Sequence, residues 1–280
     1  MEGKILKNFI KNALIEDIGN GDHTSLSTIS KNSTNKAHLI AKDKGIIAGV
    51  QIAKEIFKEV DKSLRINILI KDGSYVNDND IIFTINGRSL SILSAERLVL
   101  NCMQRMSAIA TKTHCLNNII SSTNAKILDT RKTTPLNRGL EKLSVKIGGG
   151  HNHRFSLDDM ILIKDNHIDF AGDISKAIRK AKRYLLKNDL QLPIVVEARN
   201  TKEIKHILKE GGVNRILLDN FSVRNTKKAI DIIGKQCKTE SSGGINESNI
   251  LKYAKCGVDF ISVGAITHSV SNFDLSLKAY

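Results

Sequence analysis

The chain has 280 residues, of which 41% are hydrophobic and 26% charged, and its formal net charge is +14. This length allows one large domain or two domains, and apolar runs stay well short of the roughly 20 residues that a membrane-spanning helix needs, so we expect no membrane insertion. Aromatic residues make up only 4% and tryptophan is absent. The charge therefore indicates a lysine-rich surface and an anionic substrate, and we expect no nucleic-acid partner.

Residues 1–19 predict an amphipathic helix, with Ile5, Phe9 and Ala13 on its apolar face. This segment has neither a continuous apolar core nor a small-residue cleavage site, so we expect no signal peptide and a cytoplasmic location. The four cysteines form no CxxC pair. We interpret them as free thiols, mostly buried, and not as a zinc site or disulfides.

Residues 24–93 predict a mixed α/β unit. A strand-like run is followed by an apolar helical face over residues 51–62, and a turn at Asp72-Gly73 with residues 72–85 predicts a hairpin. A long helix is predicted over residues 94–121, with Ser94 as its N-cap. We therefore expect an N-terminal α+β, sandwich-like domain over residues 1–110, which the long helix connects to the remainder of the chain.

From residue 125 onward, strand-like and helical runs alternate. The six strand-like runs are AKILDT, DMILIK, PIVVEA, RILLDN, KTESS and DFISVGA. This alternation predicts a parallel sheet covered by helices, and six strands predict an α/β barrel that is incomplete relative to the eight-stranded form. We assign the barrel to residues 111–280, with the option that the last residues return to the N-terminal domain.

Polar groups and glycines follow every one of these strands. In α/β barrels the carboxyl ends of the strands carry function. Glu197 and Asp219 end successive strands in the chain and could hold Mg²⁺, contact ribose hydroxyls or stabilise a positive carbon, although each could also pair with a lysine. The loops at Ser242-Gly243-Gly244 and Val263-Gly264-Ala265 predict a phosphate cradle, although glycines could instead permit tight turns.

Residues 129–167 concentrate positive charge around Gly148-Gly149-Gly150. Desolvated cations are costly unless they are paired, so this segment favours binding of a small, highly charged anion. Lys164 follows a buried strand and could form a Schiff base, but its cationic neighbours favour carboxylate binding. The His151-x-His153 pair could bind zinc, but the surrounding cations disfavour a metal.

These residues closely resemble the quinolinate phosphoribosyltransferase family, also called nicotinate-nucleotide pyrophosphorylase (carboxylating). The matching motifs run in order along nearly the whole chain: EDIGNGDHTS (16–25), AERLVLNCMQRMSAIAT (95–111), DTRKTTP (129–135), GGGHNHR (148–154), LIKDNH (162–167), LLDNF (217–221), SSGGIN (241–246) and FISVGAITHS (260–269). The resemblance implies that quinolinate and phosphoribosyl pyrophosphate give nicotinate mononucleotide, pyrophosphate and CO₂, with Mg²⁺, in NAD biosynthesis. It also implies a homodimer, with higher assembly open.

The resemblance assigns roles to individual positions. It implies that Glu197, Asp219 and Lys132 are catalytic, that Glu197 and Asp219 hold Mg²⁺ mainly through substrate or water, and that Arg97 is supplied by the neighbouring subunit. The residues that it implies in substrate binding are Arg97, Thr130, Arg131, Lys132, His153, Arg154, Lys164, Glu197, Asp219, Ser242, Gly243, Gly244, Val263, Gly264 and Ala265.

The chain departs from the family pattern at two positions. Val195 stands where a first glutamate is frequent, and Leu136 stands where glycine commonly follows proline, so the loop geometry is open at both. The alternatives are a paralogue of the same fold associated with molybdate uptake, an anion-binding protein without this chemistry, a Schiff-base aldolase that uses Lys164, and a nucleic-acid binder.

Overall fold

The structure is a computed structural model in which residues 3–280 are described. Residues 1 and 2, with which the predicted N-terminal helix and domain begin, lie outside the described residues. In chain order the first elements are α1 (Gly3–Ile18), α2 (His23–Thr28), β1 (Thr34–Ala41), β2 (Gly45–Ile46), α3 (Val50–Val60), β3 (Arg65–Ile68), β4 (Tyr75–Val76), β5 (Ile81–Arg88) and α4 (Ser89–Ile119).

Strands and helices then alternate to the C-terminus. These elements are β6 (Lys126–Leu128), α5 (Arg138–Ile147), β7 (Ile161–Ile163), α6 (Asp165–Ala171), α7 (Ile174–Lys187), β8 (Ile194–Ala198), α8 (Thr201–Glu210), β9 (Arg215–Asp219), α9 (Val223–Ile233), β10 (Lys238–Ser242), α10 (Ile250–Ala254), β11 (Phe260–Ser262), α11 (Ala265–His268) and β12 (Leu275–Ala279).

The chain divides into two compact units. The first unit comprises the described part of Met1–His114 together with Thr133–Gly149 and Ile266–Tyr280, and the second unit comprises Cys115–Lys132 and Gly150–Ala265. The division therefore crosses the chain several times; the sequence suggested one boundary after residue 110, with the option that the last residues return to the N-terminal domain. It assigns α5 and β12 to the first unit.

The first unit contains a four-stranded antiparallel sheet with the order β12-β1-β5-β3. Strand β12 joins this sheet by pairing with β1, so the last residues of the chain complete it. The apolar faces of α3 and α4 are buried in the core of this unit, where Phe57 meets Phe83 edge to face at 6.0 Å between ring centroids. Such an aromatic pair adds to the burial that drives folding.

Two local predictions in the first unit are wrong. Helix α4 begins at Ser89, and the Ser94 hydroxyl donates to the Leu90 carbonyl at 2.8 Å, so Ser94 lies inside the helix and is not its N-cap. The hairpin of residues 72–85 does not form, because β4 pairs with β2 while β5 pairs with β1 and β3. In both cases long-range packing outweighs a locally plausible signal.

The second unit contains a six-stranded parallel sheet with the order β6-β11-β10-β9-β8-β7, which confirms the predicted fold class and number of strands. On β8, Ile194, Val196 and Ala198 belong to the apolar core shared with the helices. Because side chains alternate across a strand, Val195 and Glu197 face the opposite side. That side is the interior of the sheet's curve.

One contact reveals the curvature of this sheet. His151 forms a parallel bridge with Leu128 of β6, and His153 follows it, while Glu240 lies on β10. A flat sheet with neighbouring strands about 4.8 Å apart would separate these positions by roughly 14 Å. The His153 Nε2 nevertheless lies 3.5 Å from the Glu240 Oε2. The sheet therefore curls around an interior that contains both side chains, as an incomplete barrel does.

Candidate active site

Two carboxylates meet at the ends of β8 and β9. Glu197 is 8% exposed and Asp219 is half-buried, and the two side chains share a hydrogen bond. Burial and then the charge of Asp219 raise the pKa of Glu197 to about 7, against the opposing charge of Lys164. A carboxyl pair with this much excess negative charge is suited to a cation or to a developing positive centre.

Cations gather near the loop that follows β6. Arg154 is 8% exposed, its Nη1 donates to the Met160 carbonyl at 3.3 Å, and its buried Nε has no hydrogen-bond partner. Burial and then the charge of Arg131 lower the pKa of the Arg154 guanidinium, while Asp159 opposes this shift. Two neighbouring guanidiniums with an unused donor are suited to an anion, because a carboxylate accepts bidentate hydrogen bonds from arginine.

The loops that carry these cations are held by local hydrogen bonds. The Asp129 side chain, which is fully buried, accepts from the His153 backbone N–H at 2.9 Å and from the Asn152 amide. The Thr130 hydroxyl accepts from the Lys132 backbone N–H at 3.0 Å, and this closes a turn that places Lys132 at the surface. Asp129 was not among the predicted site residues, although its position directly after a strand is a usable signal.

Lys164 lies directly after β7, at the N-cap of α6, and its backbone N–H donates to His167 Nδ1 at 3.0 Å. Its charge acts on Glu197, which also feels the charge of Asp165. The carboxylates near it favour an electrostatic role for Lys164 over a Schiff-base role.

The glycine loop after β10 has a steric requirement for glycine. Gly243 has φ 95°, and a Cβ built there would lie 2.2 Å from the Asn220 Oδ1. Gly244 has φ 61° but faces open space. Asn220 itself adopts φ 53° and donates its backbone N–H to the Ser242 carbonyl at 2.9 Å. The backbone of Gly243 therefore packs against the Asn220 side chain, so this position requires glycine. Gly244, which follows, is exposed at the end of β10, whose Ser242 lies in register with Asp219 of β9.

The remaining predicted residues lie as follows. Val263 is buried and donates its backbone N–H to the Leu128 carbonyl at 3.0 Å, while Gly264 and Ala265 are partly buried. The loop after β10 continues through a turn at residues 247–249, and helix α10 begins at Ile250. Arg97 lies exposed on α4 in the first unit.

Both departures from the family pattern have a structural consequence. Leu136 adopts φ 62°, a left-handed conformation that favours glycine, and its side chain is 98% exposed. Val195 is fully buried and lies in register with Arg215 of β9. The first departure therefore carries backbone strain, and the second leaves an apolar side chain beside an arginine.

The described residues contain no helix with both the length and the apolar character that a bilayer crossing requires.

Comparison with known proteins covers almost the whole chain. Residues 22–107 match the family model described as quinolinate phosphoribosyl transferase, N-terminal domain, and residues 109–278 match that of the C-terminal domain. A Nicotiana tabacum relative named quinolinate phosphoribosyltransferase [decarboxylating] 1b is 42% identical over 98% of this chain and 82% of its own length. A Bacillus subtilis relative named probable nicotinate-nucleotide pyrophosphorylase [carboxylating] is 38% identical over 97% of this chain and 92% of its own.

A solved structure agrees with this result. The nicotinate-nucleotide pyrophosphorylase from Francisella tularensis superposes with a TM-score of 0.93 and is 38% identical, over 100% of this chain and 98% of that one. Similarity at this level extends through both units of the chain.

Proposed function

Because this chain belongs to the quinolinate phosphoribosyl transferase family, we propose that it transfers the phosphoribosyl group of phosphoribosyl pyrophosphate to quinolinate. The products are nicotinate mononucleotide, pyrophosphate and CO₂, in NAD biosynthesis. The observation that carries the proposal is the buried, unpartnered Nε of Arg154 beside Arg131, in the same unit and at the same set of strand ends as the Glu197–Asp219 pair.

Quinolinate is a dianion, and the cations of the second unit match its two carboxylates. Arg131 and Arg154 would bind carboxylate oxygens in bidentate fashion, and Lys164 would add a point charge. The anion would also oppose the effects of burial and of the Arg131 charge, which lower the pKa of Arg154. Recognition of the second carboxylate would exclude nicotinate, because a site built for two charges leaves one of its cations unpaired with a monoanion.

The glycine loops after β10 and β11, with Ser242 and Lys132, are proposed to hold the phosphates of the other substrate. Glu197 and Asp219 fit a divalent cation, because burial and then the neighbouring charge of Asp219 raise the pKa of Glu197 to about 7, and a cation would relieve both effects. Mg²⁺ bound there would neutralise part of the pyrophosphate charge. Its other ligands would be phosphate oxygens and water, since no group of three His, Cys, Asp or Glu residues in 3–280 is placed to bind a metal.

The chemistry follows from these charges. The C1–O bond to pyrophosphate breaks, C1 of the ribose gains positive charge, and the carboxylates of Glu197 and Asp219 stabilise it while the quinolinate nitrogen forms the new N–C1 bond. The nitrogen is then a pyridinium, which stabilises the carbanion left when the adjacent carboxylate departs as CO₂. A proton from solvent completes the product, so no strongly basic side chain is needed.

The first test is to incubate the purified protein with quinolinate, phosphoribosyl pyrophosphate and Mg²⁺ and to follow nicotinate mononucleotide and CO₂ together. We expect equal amounts of both products and little reaction when nicotinate replaces quinolinate. If the protein binds quinolinate but forms neither product, the catalytic proposal fails. Magnesium dependence is measured in the same assay by omission of the metal and by addition of a chelator.

The role of Glu197 is tested by substitution. Glu197→Ala should reduce kcat by two orders of magnitude or more while the Kd of quinolinate changes little, because the carboxylate acts on the ribose and not on the dianion. Equal losses in kcat and in quinolinate affinity would contradict this role.

We further propose a homodimer in which Arg97 completes the site of the neighbouring subunit. Arg97→Ala and Glu197→Ala homodimers should each be inactive. After subunit exchange, mixed dimers should restore about one quarter of wild-type activity, because half of the dimers are mixed and each has one intact site. Verified exchange without recovery of activity would rule out a contribution in trans. Higher assembly and a cytoplasmic location stay predictions.

The molybdate-associated paralogue gains no support from the relatives reported above, whose names are those of the biosynthetic enzyme.

A further inference from the structure

The interior of the second unit contains a buried charge cluster that the proposed chemistry does not use. Glu240 has a fully buried side chain, and its Oε2 lies 2.7 Å from Arg215 Nη1 and 3.5 Å from His153 Nε2. Its Oε1 accepts a hydrogen bond from the Ser262 hydroxyl. Three donors from β9, β11 and the loop after residue 150 therefore converge on one carboxylate.

Glu240 is present as an anion. Burial by itself raises the pKa of this carboxyl, but the hydrogen bonds from His153 and Ser262 and the charge of Arg215 outweigh burial and lower it. Arg215 is the main counter-charge, and its guanidinium lies 4.3 Å above the ring of Phe260. The Phe260 ring therefore helps to hold the Arg215 guanidinium where it pairs with the Glu240 carboxylate.

His153 connects this cluster to the anion site. Its Nδ1 accepts the backbone N–H of Arg154 at 2.7 Å, so Nδ1 carries no hydrogen in this arrangement. The ring N–H is then Nε2, which points to Glu240. Both ring nitrogens thus face protein groups, and the ring is only 9% exposed. The His153 ring therefore connects the Glu240 carboxylate to the Arg154 backbone N–H.

We infer that Glu240 is a positioning residue for quinolinate: through the His153 ring it fixes the backbone from which Arg154 presents its guanidinium to the anion. This inference rests on the proposed function of the site. Glu240 thereby holds two neighbouring residues that the family resemblance implies in substrate binding, His153 and Arg154. Arg215 and Ser262 act one step further away, because they hold Glu240 in place.

Glu240→Gln tests the inference with little change in shape. The amide can keep its oxygen for Arg215 and His153 and donate to the Ser262 hydroxyl, but it removes the negative charge that holds the Arg215 guanidinium and strengthens the bond from His153. We expect the KM and Kd of quinolinate to rise about tenfold, while the KM of phosphoribosyl pyrophosphate and kcat change less than twofold. Glu240→Asp, which keeps the charge, should recover part of the quinolinate affinity.

Asp61 provides a matched control in the first unit. Asp61 is also a buried carboxylate, and it accepts from Arg88 Nε and from the Ser91 hydroxyl, each at 2.8 Å. Its third side-chain partner is the Ser63 hydroxyl, whereas the third partner of Glu240 is a histidine. Asp61→Asn should lower thermal stability comparably and leave the KM of quinolinate unchanged. If both variants raise the two substrate KM values alike, Glu240 has only a structural role and the inference is wrong.

Three further outcomes separate failure of the positioning role from failure of the proposed function. If Glu240→Gln does not fold, Ser262→Ala removes one hydrogen bond of the carboxylate and should still raise the quinolinate KM two- to threefold; an unchanged KM overturns the inference. If wild-type protein neither binds nor converts quinolinate, the proposed function itself has failed. If the wild type is active and Glu240→Gln has wild-type quinolinate affinity, only the positioning role has failed.

Discussion

Each of the two units buries a carboxylate between an arginine and a serine, and the third partner differs. In the first unit, Asp61 is the C-cap of α3, where its backbone N–H donates to the Phe57 carbonyl. Its side chain accepts from Ser63, from Arg88 at the end of β5 and from Ser91 at the start of α4. It therefore ties together the ends of three elements. In the second unit, the third partner of Glu240 is His153, which belongs to a loop of the active site.

The comparison teaches that similar chemistry can serve two purposes. The hydrogen bonds of Ser63, Ser91 and Arg88 hold the pKa of Asp61 well below its ordinary value, against the effect of burial. Those of Glu240 also lower its pKa, but one of them passes through a ring whose other nitrogen holds Arg154. Asp61 stabilises the fold, and Glu240 is proposed to fix the position of Arg154, which binds the anion.

The largest effect should come from removal of the arginine in each cluster. Arg215→Met leaves the Glu240 carboxylate buried without its counter-charge and should cost about 3–5 kcal/mol in the free energy of unfolding. Arg88→Met should cost only about 1–2 kcal/mol, because the Arg88 side chain is 58% exposed and Asp61 keeps both serine donors. Denaturant unfolding measures both values, and equal losses would contradict the difference that we draw between the two clusters.

A smaller effect is expected at Glu197, a carboxylate that faces another carboxylate instead of an arginine. Its pKa in the folded state, about 7, lies above the ordinary value of 4.5, so its contribution favours folding fully below pH 4.5 and is lost as the pH rises through 7. Glu197→Gln should therefore be more stable than wild type by about 1–2 kcal/mol at pH 8, after allowance for solvent screening, and nearly equal at pH 4.5.

Unfolding of metal-free protein over this pH range measures the difference between the two proteins. Extended below pH 3.8, the same comparison for Asp61→Asn should show the opposite trend, because a depressed pKa contributes stability that is fully present above pH 3.8 and is lost as the pH falls further. A pH-independent difference at Glu197 would show that its pKa is not raised in the folded protein.

The smallest effect concerns an exposed leucine in each unit. Leu136→Gly should stabilise the protein by about 0.5–1 kcal/mol, because glycine accepts φ 62° without strain and the leucine side chain is 98% exposed. Leu186 is 84% exposed but lies in the last turn of α7, and Leu186→Gly should destabilise by a similar amount. Thermal unfolding of both variants gives the two signs, and two losses would indicate that Leu136 packs against a partner.

Much of the second unit could be predicted because its signals are local. Five of the six parallel strands are short, mainly apolar runs, and only β10 (Lys238–Ser242) is polar. Each strand end carries a charged, hydroxyl or glycine residue, so the strands β6 to β11 and the proximity of Glu197 to Asp219 follow from the alternation of strands and helices. The departure at Leu136 was also visible in the sequence, although its left-handed backbone was not.

The errors arise where distant segments compete for a strand or helix. Tyr75–Val76 carried a plausible hairpin signal, but Gly45–Ile46 takes the pairing. Ser94 had the chemistry of an N-cap, but residues 89–93 extend the helix and convert its hydroxyl into a donor to Leu90. Local propensity is worth only tenths of a kcal/mol per residue, which tertiary packing easily exceeds.

The sequence by itself determined the alternation of strands and helices, the cationic and acidic composition of the strand ends, and the family to which the chain belongs, because these are properties of neighbouring residues. Only the tertiary structure decided that His153 meets Glu240 across the interior of the sheet, that Arg215 lies beneath it, and that the Arg154 Nε is buried without a partner. These contacts join residues that are 25 to 87 positions apart. Their distances depend on how tightly the six strands curl, which no local pattern encodes.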